Sequence, residues 1–159
     1  MFITIAHFVA AWQSESGITA RVMDALTDDS LAQRVTPLDR SLGDLAWHIA
    51  GSIPEMAAHT GLHVSGPGDN APCPASAAAL AAAYRAAADS LRVEVGRHWS
   101  DATLAVEDDM YGQRWARGTT LWVLVVHEIH HRGQMSVLIR QAGLRLPEIY
   151  GPTRETLPV

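Results

Sequence analysis

Apolar residues recur every three or four positions in four separate stretches of the chain, which is the spacing of an amphipathic helix. The first stretch covers residues 3 to 26, and Gly17 weakens its helical period but need not break it. The second stretch begins after Ser41 and Asp44, which stand at the spacing of a capping box. Because Pro54 lacks a backbone N–H, we expect this second helix to kink or divide after about three turns.

The second half of the chain predicts two further helices with a less regular segment between them. Ser76 opens the third helix, which runs to about His98 and is rich in alanine, the residue of highest helix propensity. The residues that mark its buried face are Leu80, Tyr84, Ala87 and Leu91. Residues 100 to 118 are expected to be irregular or partly extended, and the fourth helix follows from Gly118 to near Gly143.

Glycine and proline mark the connections between these helices and the end of the chain. Residues 61 to 74 predict a surface loop, and the tail after Gly143 is expected to be extended, lying across the bundle or against another subunit. The residues that indicate this are Pro147, Gly151, Pro152 and Pro158. The sequence shows neither a repeat of fixed period nor a series of strands with hairpin turns. It therefore predicts an all-α fold, a four-helix bundle forming one domain over residues 1–159 with an extended C-terminal tail.

Composition and charge narrow the classes of function. Hydrophobic residues make up 48% of the chain, charged residues make up 18%, and the formal net charge of −5 disfavours binding to nucleic acid. Cys73 is the only cysteine, so no internal disulfide can form, and a cytoplasmic location is expected. No apolar run reaches the roughly 18 residues of a membrane span, and we expect no membrane partner.

Histidines carry the candidate chemistry. His127 and His131 stand four residues apart and therefore share one face of the fourth helix. His48 lies between Leu45 and Ile49, which place it on the buried side of the second helix. A lone buried histidine is usually a neutral imidazole satisfied by a hydrogen bond. Two inward imidazoles in an aliphatic seam instead favour a shared cation, so we predict a metal site formed by His48, His127 and His131.

Three neutral imidazoles leave at least one coordination position open, which resembles catalytic metal sites more than closed structural ones. The ligand type suits one divalent ion, with zinc or nickel favoured and iron, cobalt or manganese also compatible. His130 lies about 60° from His127 around the helix, and we exclude it as a ligand. The other histidines lie near helix ends or in loops and are expected to be solvated: His7, His59, His63 and His98.

Glu128, Arg132 and Gln134 each have two interpretations. Residues 127 to 131 satisfy the H-E-x-x-H pattern, in which Glu128 would be the general base of a metallopeptidase, but the downstream carboxylates lie in a proline-rich tail. The other interpretation of Glu128 is a partly exposed carboxylate paired with Arg132, and it is slightly favoured. Arg132 would bind a substrate carboxylate or form that surface ion pair. Gln134 would orient a ligand or lie at a pocket mouth. No catalytic residue is assigned.

Two aromatic side chains fall near the predicted site. Trp12 and Trp47 would wall an apolar pocket or pack in the core, and the core interpretation is favoured because large aromatics at helical spacing are usually core residues.

Three segments resemble the DinB-like (YfiT-like) superfamily. They are residues 40–48 (Arg-Ser-Leu-Gly-Asp-Leu-Ala-Trp-His), residues 127–134 (His-Glu-Ile-His-His-Arg-Gly-Gln) and residues 146–152 (Leu-Pro-Glu-Ile-Tyr-Gly-Pro). The resemblance implies a four-helix bundle, often a homodimer, with a divalent metal held by His48, His127 and His131. Members include thiol S-transferases that use bacillithiol or mycothiol and a mycothiol-dependent maleylpyruvate isomerase, which implies a low-molecular-weight thiol as co-substrate. The alternative is a non-catalytic, metal-dependent binding or dimerisation module.

Overall fold

The computed structural model describes residues 1–68 and 70–157 and shows four long helices with a small hairpin. The helices are α1 (Ile5–Asp24), α2 (Leu42–Ala58), α3 (Ala77–His98) and α4 (Arg117–Gln141). Two short 3-10 helices, Asp28–Ala32 and Asp101–Ala105, lie in the connections. The strands are β1 (Glu107–Met110) and β2 (Gln113–Ala116). The all-α class predicted from the sequence is confirmed, while Pro158 of the predicted tail lies outside the described residues.

Side-chain caps fix where three of the long helices begin. The hydroxyls of Thr4 and Ser76 accept hydrogen bonds from the first turns of α1 and α3. Ser41 and Asp44 form the predicted capping box at α2, each side chain accepting from the other residue's backbone N–H. α4 follows directly from β2 and has no side-chain cap among the described residues. The local sequence therefore sets where α2 begins, and so it also sets the position of His48 along the helix axis.

The core lies between the four helices, with α2 packed against α3 and α4, and α1 packed on the same two helices. The predicted buried face of α3 is confirmed, since all four of its marker residues are buried. Trp12 is 1% exposed and donates its indole N–H to the carbonyl of Ala88, so its assignment to the core is correct. Burial of the apolar faces of α1 and α2 against α3 and α4 holds the four helices at fixed positions.

Residues 107 to 116 form an antiparallel hairpin. The segment is thus partly extended, one of the two alternatives expected, but the expected absence of hairpin strands is wrong. The turn is made by Tyr111 and Gly112, both of which have positive φ, as a tight two-residue hairpin requires. The Tyr111 hydroxyl donates to the carboxylate of Glu55 on α2, at 2.8 and 3.0 Å from its two oxygens. The hairpin therefore lies over the C-terminal half of α2.

Pro54 does not divide α2, which continues unbroken to Ala58, so the expected interruption is wrong on this point. A proline removes one backbone hydrogen bond but leaves the neighbouring ones, and packing on both sides can hold the helix together. Here the proline ring packs closely beneath the loop at Gly66, where an added Cβ would lie 2.9 Å from the ring. The proline thus serves as a contact surface for that loop.

The C-terminal tail lies across the bundle, one of the two placements expected from its sequence. Leu146 is buried in the core, and the hydroxyl of Tyr150 donates to the carboxylate of Glu15 on α1 at 2.7 Å. Farther along, Glu155 pairs with Arg140 on α4 at 2.9 Å. Within the described residues, none of the helices combines the length and the hydropathy needed to cross a lipid bilayer.

Candidate metal centre

The three predicted ligands, His48 on α2 and His127 and His131 on α4, lie together. The Nε2 atom of His127 is 3.1 Å from Nε2 of His48 and 3.1 Å from Nε2 of His131. One ligand nitrogen from each of the three rings lies within 4.8 Å of the other two. All three residues are half-buried, so the cluster faces the solvent on one side. The packing of α2 on α4 brings together two stretches that are 79 residues apart in sequence.

The distances fit a shared ion. Two nitrogens that each lie about 2.0–2.1 Å from one metal ion, at angles of about 90–110°, are separated by about 2.9–3.4 Å. The observed separations of 3.1 Å fall inside this range. Three imidazole nitrogens are also a donor set that zinc, nickel and other divalent transition metals accept. The arrangement could therefore hold one divalent metal ion, with positions left for other ligands.

Gln134 determines which nitrogen of His131 faces the cluster. The Nδ1–H of His131 donates to the side-chain oxygen of Gln134 at 2.7 Å. A neutral imidazole protonated at Nδ1 has a bare Nε2, the atom that lies next to His127. The geometry supports both interpretations offered by the sequence, because Gln134 orients His131 and also lies exposed at the border of a cavity.

The surroundings keep the three imidazoles neutral. Burial lowers the pKa of His48 to about 4 and that of His127 to about 4, and burial also lowers the pKa of His131. The positive charge of Arg40 lowers the pKa of each ring further. Neutral imidazoles can bind a metal without first losing a proton, so the site needs no deprotonation near neutral pH.

Two cavities open on either side of the histidines. The His48-side cavity, of about 370 Å³, is bordered by residues of α2 and of the following loop, among them Trp47, His48, Ser52, Pro67, Gly68 and Ala71. The His131-side cavity, of about 390 Å³, is bordered by His131, Gln134 and aliphatic side chains. Trp47 is half-buried: it packs against the core and also borders the first cavity, so both interpretations apply to it. Each cavity is large enough for a small molecule next to the metal ligands.

Glu128 lies in the interior and not at the metal ligands. Its side chain is 1% exposed, and one carboxylate oxygen accepts from Thr19 at 2.7 Å and from Tyr84 at 2.9 Å. Burial raises the pKa of Glu128 to about 7, and the two donated hydrogen bonds oppose this rise. The interpretation as a partly exposed carboxylate paired with Arg132 is wrong. The same burial argues against a peptidase, because the carboxylate does not face the histidine nitrogens.

Arg132 is likewise internal, at 1% exposure. Its guanidinium donates to the Glu15 carboxylate at 2.5 Å, to the Thr19 hydroxyl at 2.9 Å and to the hydroxyl of Tyr150. The interpretation as a surface ion pair is therefore wrong, since the pair is buried. A buried side chain with these partners also has no surface on which to meet a substrate, so the structure does not support the predicted substrate-binding role of Arg132.

The remaining histidines are exposed, as expected: His7, His59, His63, His98 and His130. His130 stacks edge-on beside His131, at 4.9 Å between ring centroids, and lies outside the ligand cluster. Arg40, which borders both cavities, was not singled out by sequence reasoning. The sequence feature that could have pointed to Arg40 is its position at the start of the segment of residues 40–48, which ends at His48.

A bundle of four helices with an inward cluster of three histidines defines a class of helical proteins with a candidate metal centre. The sequence profile of the DinB family matches residues 1–157, and the chain belongs to this family. Protein YrdA of Bacillus subtilis (strain 168) is 39% identical over 155 residues, which cover 98% of this chain and 93% of that protein.

Two crystal structures share the fold. A DinB-like protein from Bacillus cereus ATCC 10987 has a TM-score of 0.91 and 38% identity, covering 94% of this chain and 100% of the other. The DinB-like protein YjoA from Bacillus subtilis has a TM-score of 0.70 and 21% identity, covering 89% of this chain and 96% of the other. The second similarity concerns the fold alone.

Proposed function

We propose that this chain binds one divalent metal ion, zinc or nickel, through His48, His127 and His131, and uses it to activate a low-molecular-weight thiol. The observation that carries the proposal is the convergence of three imidazole nitrogens, two of them 3.1 Å from the third. The flanking cavities supply room for a thiol and a second reactant beside the ligands. The family membership is consistent with this reading of the site.

A bound divalent metal would supply Lewis acidity, which favours the thiolate form of a thiol near neutral pH. The protein's own residues hold the ligands in place. Gln134 keeps His131 in the tautomer that presents Nε2, and the helical spacing aligns His127 with it. Ser52 donates to the carbonyl of His48 at 2.7 Å within α2. The half-buried indole of Trp47 borders the His48-side cavity and donates its N–H to the carbonyl of Ala71 at 2.8 Å.

The proposed reaction is thiol S-transfer or a thiol-dependent isomerisation. In the transfer, the thiol proton passes to solvent, the sulfur forms a bond to an electrophilic carbon, and the leaving group departs with its bonding electrons. In the isomerisation, the sulfur adds to a conjugated double bond and is later expelled, so that the thiol is regenerated. Neither reaction requires a protein nucleophile, which agrees with the internal positions of Glu128 and Arg132.

Metal analysis tests the first part of the proposal. We expect about one zinc or nickel ion per purified chain, and large losses of metal in His48→Ala and in His127→Ala because two imidazoles bind far more weakly than three. His98→Ala and His130→Ala, which remove exposed histidines, are the matched controls and should retain the ion. Equal metal content in all five proteins would contradict the assignment of the ligands.

Thiol consumption tests the second part. Metal-loaded protein would be mixed with bacillithiol, mycothiol or glutathione and with a chlorobimane, and conjugate formation would be followed by fluorescence. We expect turnover with at least one thiol and its loss in His127→Ala. A protein that holds its metal but conjugates none of the thiols would instead be a non-catalytic binding module.

A further inference from the structure

Arg40 borders both cavities beside the histidine cluster. It stands immediately before the capping residue of α2, and its side chain lines the His48-side cavity together with His48 and the His131-side cavity together with His131. Arg40 is thus the cation that both openings of the centre share.

The guanidinium of Arg40 is exposed, and no carboxylate of residues 1–68 and 70–157 pairs with it. Arg34, in the same connection, instead pairs with Asp44 at 3.8 Å. An arginine fork suits a planar carboxylate, to which it can donate two parallel hydrogen bonds. A small anion bound by Arg40 would share a cavity with His48 or with His131.

The two cavities differ in the charge and the surface they offer. The His48-side cavity contains two carboxylates, Asp44 and Glu55, so an anion would meet more negative charge there than in the His131-side cavity, which contains one. The His131-side cavity contains one carboxylate, Asp39, which is bound by the backbone N–H and the hydroxyl of Thr36. Its remaining wall is largely aliphatic, with Val35, Leu45, Val137 and Leu138. An anion with an apolar body therefore fits the His131-side cavity better.

We infer that Arg40 selects a carboxylate-bearing small molecule, binding its carboxylate while the body of the molecule lies in the His131-side cavity beside the histidine centre. This inference deepens the proposed function, on which it rests: the thiol, or its reaction partner, would be an acidic molecule. Arg40 would take the role that the sequence assigned to Arg132, whose guanidinium is buried.

The test compares ligands of one size that differ in charge. Zinc-loaded protein would be titrated with mercaptopropionate, mercaptoethanol and cysteamine by calorimetry, and with hexanoate as a carboxylate that lacks a thiol. We expect mercaptopropionate to bind about tenfold more tightly than mercaptoethanol, and cysteamine to bind most weakly. Arg40→Gln should abolish this preference without changing the affinity for mercaptoethanol. Arg40→Lys, which keeps the charge but loses the fork, should retain part of it.

Matched variants separate this role from a general effect of charge. Arg34→Gln removes an exposed arginine of the same connection and should keep the preference for carboxylates. Val137→Asp adds a carboxylate to the His131-side cavity, and Ala71→Asp adds one to the His48-side cavity. The affinity for mercaptopropionate should fall several times more in Val137→Asp than in Ala71→Asp. Unchanged selectivity in Arg40→Gln, or the absence of any preference in the wild type, would overturn the inference.

The hexanoate arm separates this inference from the proposed function. Binding of hexanoate that depends on Arg40, with no binding of mercaptoethanol, would support the carboxylate site and contradict thiol activation. Binding of mercaptoethanol, with no ligand showing any dependence on Arg40, would support thiol activation and contradict the carboxylate site. If none of the four compounds bound the zinc-loaded protein, both would be wrong.

Discussion

Gln134 is the residue at which the proposed metal affinity of the histidine cluster can be tested without removing a ligand. Replacement by alanine deletes the acceptor of the His131 Nδ1–H, so the ring can rotate or adopt the other tautomer. We expect Gln134→Ala to bind zinc about 10–100-fold more weakly, as measured by competition with a chromogenic chelator. Gln141→Ala, at the exposed end of α4, should keep the wild-type affinity. Equal affinities in the two variants would show that the hydrogen bond is not needed.

Glu128 distinguishes a structural carboxylate from a catalytic one. In Glu128→Gln the side-chain oxygen can still accept from Thr19 and Tyr84, so we expect a loss of about 1 kcal/mol or less in the free energy of unfolding. Glu128→Ala leaves both hydroxyls without this acceptor and opens a cavity, so about 2–4 kcal/mol should be lost.

Urea unfolding measures both free energies, and metal analysis of Glu128→Gln should still give one ion per chain. Cleavage of casein by the wild-type protein that disappears in Glu128→Gln would contradict this assignment and restore the peptidase.

The histidine cluster could be predicted from the sequence because its strongest evidence is local. Two histidines at i and i+4 share a face in any α-helix, and the apolar neighbours of His48 show which side of α2 is buried. The burial of Glu128 and Arg132 could not be predicted in this way. Their partners lie on α1, on α3 and in the tail, so burial depends on contacts that no helical period reveals; these partners are Glu15, Thr19, Tyr84 and Tyr150.

At the scale of the element, the capping box of α2 makes a contribution that depends on pH. The hydrogen bonds from Ser41 hold the pKa of the Asp44 carboxyl below its ordinary value of 3.8. A lowered folded-state pKa means that the stabilisation is complete above the unfolded value and is lost as the pH falls through the folded value. We therefore expect Asp44→Ala to lower the free energy of unfolding by about 1 kcal/mol at pH 7.

The difference between Asp44→Ala and the wild type should shrink as the pH falls below 3.8, because protonation then removes the carboxylate from the wild type as well. Unfolding by urea at a series of pH values would show it. Asp89→Ala, which removes an exposed carboxylate within α3, is the control and should show no comparable loss at pH 7. A difference that grows in acid would contradict the sign of this linkage.

The elements that the sequence predicted well are those with a strong period and a side-chain cap. α3 begins after Ser76 and ends at His98, as its pattern indicates. The hairpin at residues 107–116 could not be predicted from the sequence, because its strands are short and mostly polar and show no alternation of apolar residues. Its one local signal is Tyr111-Gly112, and the contact of Tyr111 with Glu55 on α2 adds support from outside the segment.

At the scale of the whole molecule, the homodimer expected from the sequence stays a prediction, and α4 offers a surface for it. Trp122 and Val126 lie one turn apart on this helix and are 45% and 40% exposed. We expect the wild-type protein to be dimeric and Val126→Glu to be monomeric, because a carboxylate would be desolvated in such an interface. Light scattering after size exclusion measures both masses, with Val106→Glu, an exposed valine outside α4, as the control. A monomeric wild type would contradict the prediction.

The contact of the buried Arg132 guanidinium with the half-buried Glu15 carboxylate also constrains how such sequences can diverge. Loss of one member of a buried ion pair costs about 3–5 kcal/mol, a large part of the stability of a domain, whereas joint replacement by apolar residues of similar volume is often neutral. We therefore expect single changes at Arg132 or Glu15 to be tolerated less well than joint changes of both residues. We expect DinB-family chains that lack this arginine to carry an uncharged side chain in place of Glu15, so that the two positions covary across the family.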